Sequence, residues 1–250
     1  MGSVHTEVSD GAMVIRWSNP AAKNALNLAM YRQLDEALKQ AQQSDAIKAC
    51  VLLGGQGDFC SGNDLAEFIQ AQGLTGAEFF QPLLAFIRTL AGFNKPLLAA
   101  VEGWVVGIGA TLLLHCDSVI AAPGAQFQLP FTRLGLCCEC GASLLLPLRI
   151  GQGRAADWLL RAEPIAASEA LAAGFINRIE ADPAAALRAQ AQALTERPLS
   201  ALKAHRALLK APWQGALQDA MQLEETTFFA LLKGPEFRAI LAAMSAKWRG

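Results

Sequence analysis

Three short apolar runs constrain the fold of this chain more than any other feature, and they lie at residues 49–53, 97–101 and 118–122. Each has the length of a strand that is buried on both faces. Stretches with the periodicity of amphipathic helices lie before and between them, at 28–43, 77–91 and 107–116. Strands that alternate with helices are joined by crossover connections, which make neighbouring strands parallel. The pattern therefore predicts an α/β protein with a parallel sheet covered on both faces.

The two ends of the chain differ from this alternating middle. Residues 4–8 and 12–17 are typical of two strands, and the sequence SDG at 9–11 indicates a hairpin turn between them. After about residue 154 one late strand candidate remains, at 176–180, and helices are predicted at 155–161, 167–173, 183–195, 199–210, 213–232 and 235–247. We expect a core over residues 1–195 and a helical C-terminal region over 196–250, whose apolar faces would pack on another subunit.

Composition excludes several classes of function. The chain has 250 residues with 21 Lys and Arg against 22 Asp and Glu, a net charge of -1, so nucleic acid and membrane surfaces are not expected partners. Hydrophobic residues make up 53%, which is too many for a disordered chain. No apolar run approaches the roughly 20 residues of a membrane-spanning helix. The first residues lack a secretion signal and the last four (KWRG) lack a peroxisomal tripeptide, so a soluble cytoplasmic protein is expected.

The six cysteines do not form a metal-binding pattern. Cys137, Cys138 and Cys140 crowd together, but no second pair accompanies them and the three histidines are scattered. In a cytosolic protein such cysteines act as small apolar side chains of the core. We therefore expect no metal site.

Two glycine-containing loops are candidates for binding an anion or a polarised carbonyl oxygen. One is residues 59–65 (FCSGNDL) and the other is residues 101–111 (VEGWVVGIGAT). Each leads into a predicted helix, where backbone N–H groups lack partners. The alternative for the first loop is an ordinary helix cap formed by Asn63 or Asp64. The second loop does not have the spacing G-x-G-x-x-G, so no dinucleotide site is expected.

Two further stretches hold isolated charged residues. Residues 19–26 (NPAAKNAL) are typical of a turn before a helix, and Lys23 there could bind a phosphate, although a lone loop lysine is more often simply solvated. Glu139 lies in a run of apolar and small residues at 136–146. It is either an exposed residue at the start of a helix or a general base in an apolar pocket, where desolvation would raise its pKa.

Taken together, in this order and spacing, the four stretches resemble the enoyl-CoA hydratase/isomerase (crotonase) family, and the likeness extends to Cys116-Asp117 and to residues 125–127 (AQF). It covers nearly the whole chain, from Val4 to about Phe237. The resemblance implies a crotonase-like spiral of ββα turns with a helical C-terminal trimerisation region. It also implies an acyl-CoA thioester substrate, a homotrimer or hexamer, and no cofactor beyond the coenzyme A of the substrate.

The resemblance also assigns roles to individual residues. The backbone N–H groups of Asn63 and Ile108 would hold the thioester oxygen as an oxyanion hole. Glu139 matches the single catalytic glutamate of the Δ3,Δ2-enoyl-CoA isomerase branch, whereas the positions of the two hydratase glutamates carry Thr111 and Phe131. Residues implied to contact the substrate are Lys23, Ser61, Gly62, Asp64, Leu65, Gly107, Thr111 and Phe131.

This resemblance predicts an isomerase that moves the double bond of a 3-enoyl-CoA to give the 2-trans-enoyl-CoA. Glu139 would remove a proton from C2 and return one to C4. Alternatives remain within the family, namely hydration, hydrolysis, dehalogenation or cleavage of an acyl-CoA. A non-catalytic relative that binds acyl-CoA or RNA is a further alternative, against which the retained Glu139 and the net charge of -1 both argue.

Overall fold

The computed structural model describes residues 2–64, 67 and 78–248, with side chains described as far as residue 244. The strands are β1 Ser3–Ser9, β2 Ala12–Ser18, β3 Ala49–Leu53, β4 Leu97–Val101, β5 Trp104–Val106, β6 Ser118–Ala121, β7 Gln126–Gln128, β8 Ile165–Ala166 and β9 Arg178–Ile179. The helices are α1 Leu28–Gln43, α2 Gln81–Gly92, α3 Ile108–Thr111, α4 Ala142–Ile150, α5 Gln152–Arg161, α6 Ala167–Ala172, α7 Pro183–Thr195, α8 Leu199–Lys210, α9 Gln214–Leu232 and α10 Pro235–Trp248.

The larger sheet has the order β1-β2-β3-β4-β6-β9. β1 and β2 are antiparallel, and every later neighbour in this sheet is parallel. The predicted hairpin is confirmed, because Ser9 pairs with Ala12. Asp10 and Gly11 between them both have positive φ, of 50° and 82°, which matches the right-handed twist of the two strands. The predicted parallel sheet with helical crossovers is confirmed as well.

Both faces of this sheet are covered, as the fully apolar strands predicted. On one face, α7 places Leu187 and Ala191 against Val51, Leu98 and Ile120. On the other face, α1 and α2 contribute to the main core, together with the inward side chains of β2, β3 and β4. Strands whose every residue is buried therefore lie between two helical layers.

A second sheet, with the order β5-β7-β8, was not predicted from the sequence. Its strands have only two or three residues, too few to show a periodicity. Each of its first two strands closely follows a strand of the larger sheet, and β4, β5 and α3 form one ββα turn. This arrangement agrees with the expected crotonase-like spiral of ββα turns.

Between β4 and β5 the chain turns at Gly103, whose φ is +55°. A Cβ atom at this position would lie 2.3 Å from the carbonyl oxygen of Gly57, so the turn requires glycine. The turn places β5 beside the loop that begins at Phe59.

The C-terminal helices agree closely with the sequence prediction. The helices α7 and α8 have the predicted bounds, and α9 and α10 differ from them by one residue. The predicted helix over 107–116 is instead the short α3 followed by a 3-10 turn, Leu112–His115. The start predicted at residue 77 lies outside the described residues, and α4 was not predicted as a separate helix. The division at residue 195 stays a prediction.

Several large apolar side chains on the outer helices are exposed. Leu208 and Leu209 of α8 are 71% and 73% exposed, and Leu223 of α9 is 69% exposed. The expected uncovered apolar faces are therefore present on these helices. Within the described part of the chain, no helix combines the length and the apolar character needed to cross a membrane.

Candidate active site

The two predicted glycine loops meet directly. Two backbone hydrogen bonds of 3.0 and 2.8 Å join Cys60 to β5. Just beyond Cys60, a Cβ atom on Gly107 would lie 3.9 Å from Cα of Gly62, and one on Gly62 would lie 3.5 Å from the oxygen of Val106. Gly62 and Gly107 both have positive φ, of 103° and 55°. These glycines allow the two backbones to turn and approach each other.

Each loop presents a backbone N–H group next to its glycine. The N–H groups of Asn63 and Ile108 donate to no acceptor among the described residues. Leu26 receives a hydrogen bond from Asp64 and donates one to Gly62, which leaves the amide of Asn63 outside this pairing. Ile108 is the first residue of α3, where a helix has no internal acceptor for its amide. Two unpaired donors on touching loops are what an oxyanion hole requires.

The side chain of Asn63 is held by the single tyrosine of the chain. The hydroxyl of Tyr31, on α1, donates to Oδ1 of Asn63. Tyr31 is fully buried, and this burial, followed by the charges of Cys60 and Glu139, raises the pKa of its hydroxyl well above the usual value. Tyr31 therefore remains a neutral donor that fixes the position of Asn63. The sequence pattern predicts a helix at Tyr31 but indicates no role for its side chain.

Of the other residues predicted to contact the substrate, Lys23 and Ser61 lie together. The N–H of Ser61 donates to the oxygen of Lys23 at 3.1 Å, and the hydroxyl of Ser61 donates to the oxygen of Ala22 at 2.8 Å. Lys23 itself is exposed. These bonds attach the turn that carries Lys23 to the loop that carries Gly62 and Asn63. Leu65 lies outside the described residues.

Glu139 is buried, which decides between the two interpretations of its sequence context. It is 7% exposed and lies before α4, which starts only at Ala142, so it is not an exposed residue at a helix start. The hydroxyl of Thr111 donates to Oε1 of Glu139 at 2.6 Å. The other oxygen, Oε2, is buried and has no hydrogen-bond partner among the described residues. One oxygen of the carboxylate is therefore fixed and the other is available.

The environment of Glu139 favours its protonated form. Burial raises the pKa of its carboxyl to about 8, against the partial opposing effect of the hydrogen bond from Thr111, and the charge of Glu224 raises it slightly further. A carboxylate with such a proton affinity is a stronger base than an exposed glutamate. Thr111 belongs to the turn that Ile108 begins, so the residue that binds the Glu139 carboxylate lies one helical turn from one of the two unpaired amides.

The segment around Glu139 is held from two sides by side chains that no sequence motif marks. Nε2 of His115 lies 2.8 Å from the oxygen of Cys140. Burial lowers the pKa of His115 to about 3, so the ring is neutral and Nε2 donates this hydrogen bond. Glu224, on α9, accepts hydrogen bonds from the N–H groups of Gly141 and Ser143, both at 2.7 Å. Glu224 thereby caps α4 from a helix that lies more than 70 residues later in the sequence.

The backbone around Glu139 needs this support. Cys140 and Gly141 both have positive φ, of 64° and 74°. Such a conformation is uncommon for a residue with a side chain, and Cys140 adopts it while fully buried. The bonds from His115 and Glu224 therefore fix a turn that the local sequence does not favour.

A cavity of about 380 Å³ opens beside Glu139, between α2 and α9; we call it the α2/α9 cavity. Its walls are mostly apolar and include Phe80, Leu83, Ile87, Leu217, Met221 and Phe228. Glu139 and Cys140 also line it. Asn63, Ile108 and Phe131 do not line it. A pocket of this size with a buried carboxylate at its wall is typical of a small-molecule site.

Phe131 is buried but is not brought into contact with Glu139 by any described interaction. It is 6% exposed, and its oxygen accepts from the N–H groups of Leu134 and Leu136 in a turn that leads toward residue 139. Its implied role as a substrate contact stays a prediction. Thr111 differs in this respect, because it touches Glu139 directly.

The comparisons with known proteins point to one family. The chain matches the family model of enoyl-CoA hydratase/isomerase over residues 7–243. It is 31% identical to a 1,2-epoxyphenylacetyl-CoA isomerase of Escherichia coli, over 99% of this chain and 97% of that protein. It is 33% identical to a 2,3-dehydroadipyl-CoA hydratase of the same organism, over 90% and 88% of the two chains.

An isomerase of another kind is also among the relatives. The chain is 37% identical to enoyl-CoA delta isomerase 2 of Rattus norvegicus, over 68% of this chain and 44% of the rat protein. Among solved structures, an enoyl-CoA hydratase/isomerase from Pseudoalteromonas atlantica superposes with a TM-score of 0.91 at 32% identity, covering 98% of this chain and 97% of that one.

Proposed function

The chain belongs to the enoyl-CoA hydratase/isomerase family, and from this membership we propose that it is a Δ3,Δ2-enoyl-CoA isomerase. The observation that carries the proposal is the state of the carboxylates beside the α2/α9 cavity. Glu224 is occupied by two backbone amides and Glu225 by Arg88, whereas Oε2 of Glu139 has no partner among the described residues. Glu139 is thus a single available base, and the isomerisation requires only one.

The proposed reaction begins with the thioester oxygen at the amides of Asn63 and Ile108. Oε2 of Glu139 takes the proton from C2 of the 3-enoyl-CoA, and the electron pair of that C–H bond moves toward the thioester carbonyl. The negative charge on the oxygen is stabilised by the two N–H donors, which are already in place before the reaction. The double bond then reforms between C2 and C3 as Glu139 returns a proton to C4.

Three further features of the chain support this sequence of steps. The hydrogen bond from Thr111 holds Oε1, so that only Oε2 moves the proton. The apolar surroundings raise the proton affinity of Glu139 and keep water from the enolate. No cofactor is proposed, because the proton leaves and returns through one carboxyl group and the coenzyme A is part of the substrate.

Thr111 also argues against efficient hydration of a 2-enoyl-CoA. Hydration needs a carboxylate that takes a proton from water, and a threonine hydroxyl cannot do this near neutral pH. The hydroxyl of Thr111 is moreover already donated to Glu139. The second position at which the resemblance implies a hydratase glutamate carries Phe131, an apolar side chain.

The test compares two reactions on one preparation. We expect kcat/KM for isomerisation of 3-hexenoyl-CoA to exceed kcat/KM for hydration of crotonyl-CoA by about 10²–10⁴-fold, the contribution typical of a general base. Glu139→Gln should lower isomerisation by the same order, while the exposed Glu196→Gln should not. A hydration value equal to the isomerisation value would contradict the proposal.

We also propose that the chain assembles into homotrimers or hexamers and acts in the cytoplasm. The exposed leucines of α8 and α9 support the assembly, because large apolar side chains on a surface are commonly buried between subunits. Light scattering should give three or six times the mass of one chain. A monomer at micromolar concentration would contradict it.

A further inference from the structure

The proposed position of the thioester determines where the rest of the acyl chain goes. With the thioester oxygen at the amides of Asn63 and Ile108 and carbons 2 to 4 at Glu139, the rest of the acyl chain extends beyond Glu139. Glu139 itself lies at the wall of the α2/α9 cavity, so the remainder of the acyl chain enters that cavity. The inference below therefore rests on the proposed function for the direction of the substrate.

The charges around the α2/α9 cavity are unbalanced toward the negative. Three carboxyl groups line it, those of Glu139, Glu224 and Glu225, against the single cation of Arg88, and Glu139 adds a negative charge only when it is ionised. The positive charge of Arg88 is compensated by Glu225, because its guanidinium lies 3.1 Å from Oε2 of that residue. This ion pair spans the cavity from α2 to α9.

No other cation among the described residues lines the cavity. Lys210 lies near the end of α2, but it does not line the cavity, and its ammonium donates to the oxygens of Ala91 and Phe93, both at 2.9 Å. A negative group in the cavity would therefore meet, among the described lining residues, three carboxyl groups and one cation that is already paired.

We propose that the α2/α9 cavity selects acyl-CoA substrates whose chain ends in an uncharged group and rejects chains that end in a carboxylate. The apolar walls provide favourable contacts for an aliphatic or aromatic end. A terminal carboxylate would lose its hydration and be repelled by Glu224 and Glu225, and by Glu139 when that group is ionised. Glu225 is the specificity-determining residue, because it neutralises the one cation that could bind a terminal carboxylate.

Binding of unreactive thioesters tests this proposal independently of catalysis. Decanoyl-CoA and decanedioyl-CoA differ only in a terminal carboxylate, and neither has a double bond to move. Isothermal titration calorimetry should give a Kd at least roughly 10-fold larger for decanedioyl-CoA, as expected for an uncompensated charge near carboxylates. Equal dissociation constants, within a factor of two, would overturn the proposal.

Turnover separates this inference from the proposed function. 3-Decenoyl-CoA should be isomerised and 3-decenedioyl-CoA should react at least roughly 10-fold more slowly in kcat/KM. Equal values of kcat/KM for the two compounds would overturn the proposed selection against a terminal carboxylate. If neither compound is isomerised, the proposed function fails, and the binding ratio of the two saturated thioesters still decides the selection.

A pair of charge-matched variants identifies the residue responsible. Glu225→Gln leaves Arg88 unpaired, so the ratio of the two dissociation constants should fall by about 10-fold. Asp219→Asn removes the same charge from an exposed position on the same helix, outside the cavity, and should leave the ratio unchanged. Arg88→Gln removes the cation itself, so it should not lower the ratio of the dissociation constants of decanedioyl-CoA and decanoyl-CoA. If Glu225→Gln and Asp219→Asn give the same ratio, Glu225 is not the determinant.

Discussion

The hydroxyl of Thr111 lies 2.6 Å from Oε1 of Glu139 and donates a hydrogen bond to it. This bond joins the turn that begins at Ile108 to the one buried carboxylate that has an unpaired oxygen among the described residues. It both orients the carboxylate and favours its ionised form. The bond therefore lowers the pKa of Glu139, the proposed base, against the larger effect of burial.

Replacing Thr111 by valine should shift the pH dependence of the enzyme upward. The hydrogen bond from Thr111 lowers the pKa of Glu139 from the value that burial alone would give, so its loss raises the pKa above about 8. The rising limb of kcat/KM against pH should then move to higher pH. Thr111→Ser retains the hydroxyl and should keep the limb in place. If the rising limb of kcat/KM stays at the same pH in Thr111→Val, Glu139 is not the base.

Glu139→Gln should stabilise the fold at alkaline pH. In the folded chain the pKa of Glu139 is about 8, above the ordinary value of 4.5. The folded state is therefore more stable when this carboxyl group is protonated. The corresponding stability is fully present below pH 4.5 and is lost as the pH rises through 8. Glutamine does not ionise, so the variant should exceed the wild type by on the order of 3–5 kcal/mol above pH 8.

Denaturant unfolding at pH 5 and at pH 9 measures this difference. The gain in the free energy of unfolding should be much smaller at pH 5, where the wild-type carboxyl is protonated in the fold. Glu196→Gln, at an exposed position, provides the control and should show no such growth with pH. An advantage of Glu139→Gln that is the same at both values would mean that Glu139 ionises normally in the folded chain.

Gly107→Val should disable the loop that presents Ile108. Gly107 has φ 55° and ψ -121°, a conformation open to glycine and not to a β-branched residue. No atom lies closer than 3.9 Å to the added Cβ, so the cost is backbone strain rather than a collision. Loss of one oxyanion donor should lower turnover by roughly 10²–10³-fold. Gly124→Ala, in open space and without positive φ, should leave turnover unchanged. A folded Gly107→Val protein with full activity would contradict the assigned donor.

Glu224→Gln should change the position and the pKa of Glu139, although Glu224 is not itself the proposed base. Glu224 accepts hydrogen bonds from Gly141 and Ser143, and an amide has only one acceptor oxygen, so one of these bonds is lost. The turn at Cys140 and Gly141 should loosen and kcat should fall. Removing the negative charge of Glu224 also lowers the pKa of Glu139, so the rising limb of the pH profile should move to lower pH. A loss of kcat with an unmoved limb would mean that Glu224 is only structural.

The sequence predicted the elements of the fold that repeat a pattern over many residues. The strands at 49–53 and 97–101 and the helices at 183–195 and 199–210 have the predicted bounds, because burial on one or both faces leaves a clear periodicity. The second sheet was missed, since strands such as Ile165–Ala166 are too short for any pattern. Short strands of this kind are determined by their neighbours in space.

The candidate site also contains residues that a local sequence pattern marks and residues that it does not. Glu139 was identified because a lone carboxylate in an apolar run is visible in the sequence, and Gly62 and Gly107 because glycine marks a special backbone. Tyr31 and Glu224 were missed, since each lies in an ordinary amphipathic helix and acts on a residue far away in the chain. Nothing in the local sequence of α9 distinguishes Glu224 from the exposed polar residues around it.

The dependence of the Glu139 turn on α9 has a consequence for the order in which a working molecule arises. The amides of Asn63 and Ile108 and the carboxylate of Glu139 all belong to segments that a ribosome makes before residue 140. The hydrogen bonds of Glu224 and one wall of the α2/α9 cavity come from residues 214–232, which are made after all of these. A nascent chain thus contains the proposed reacting groups before it contains the residues that hold the Glu139 turn, so the proposed activity requires synthesis to proceed through α9.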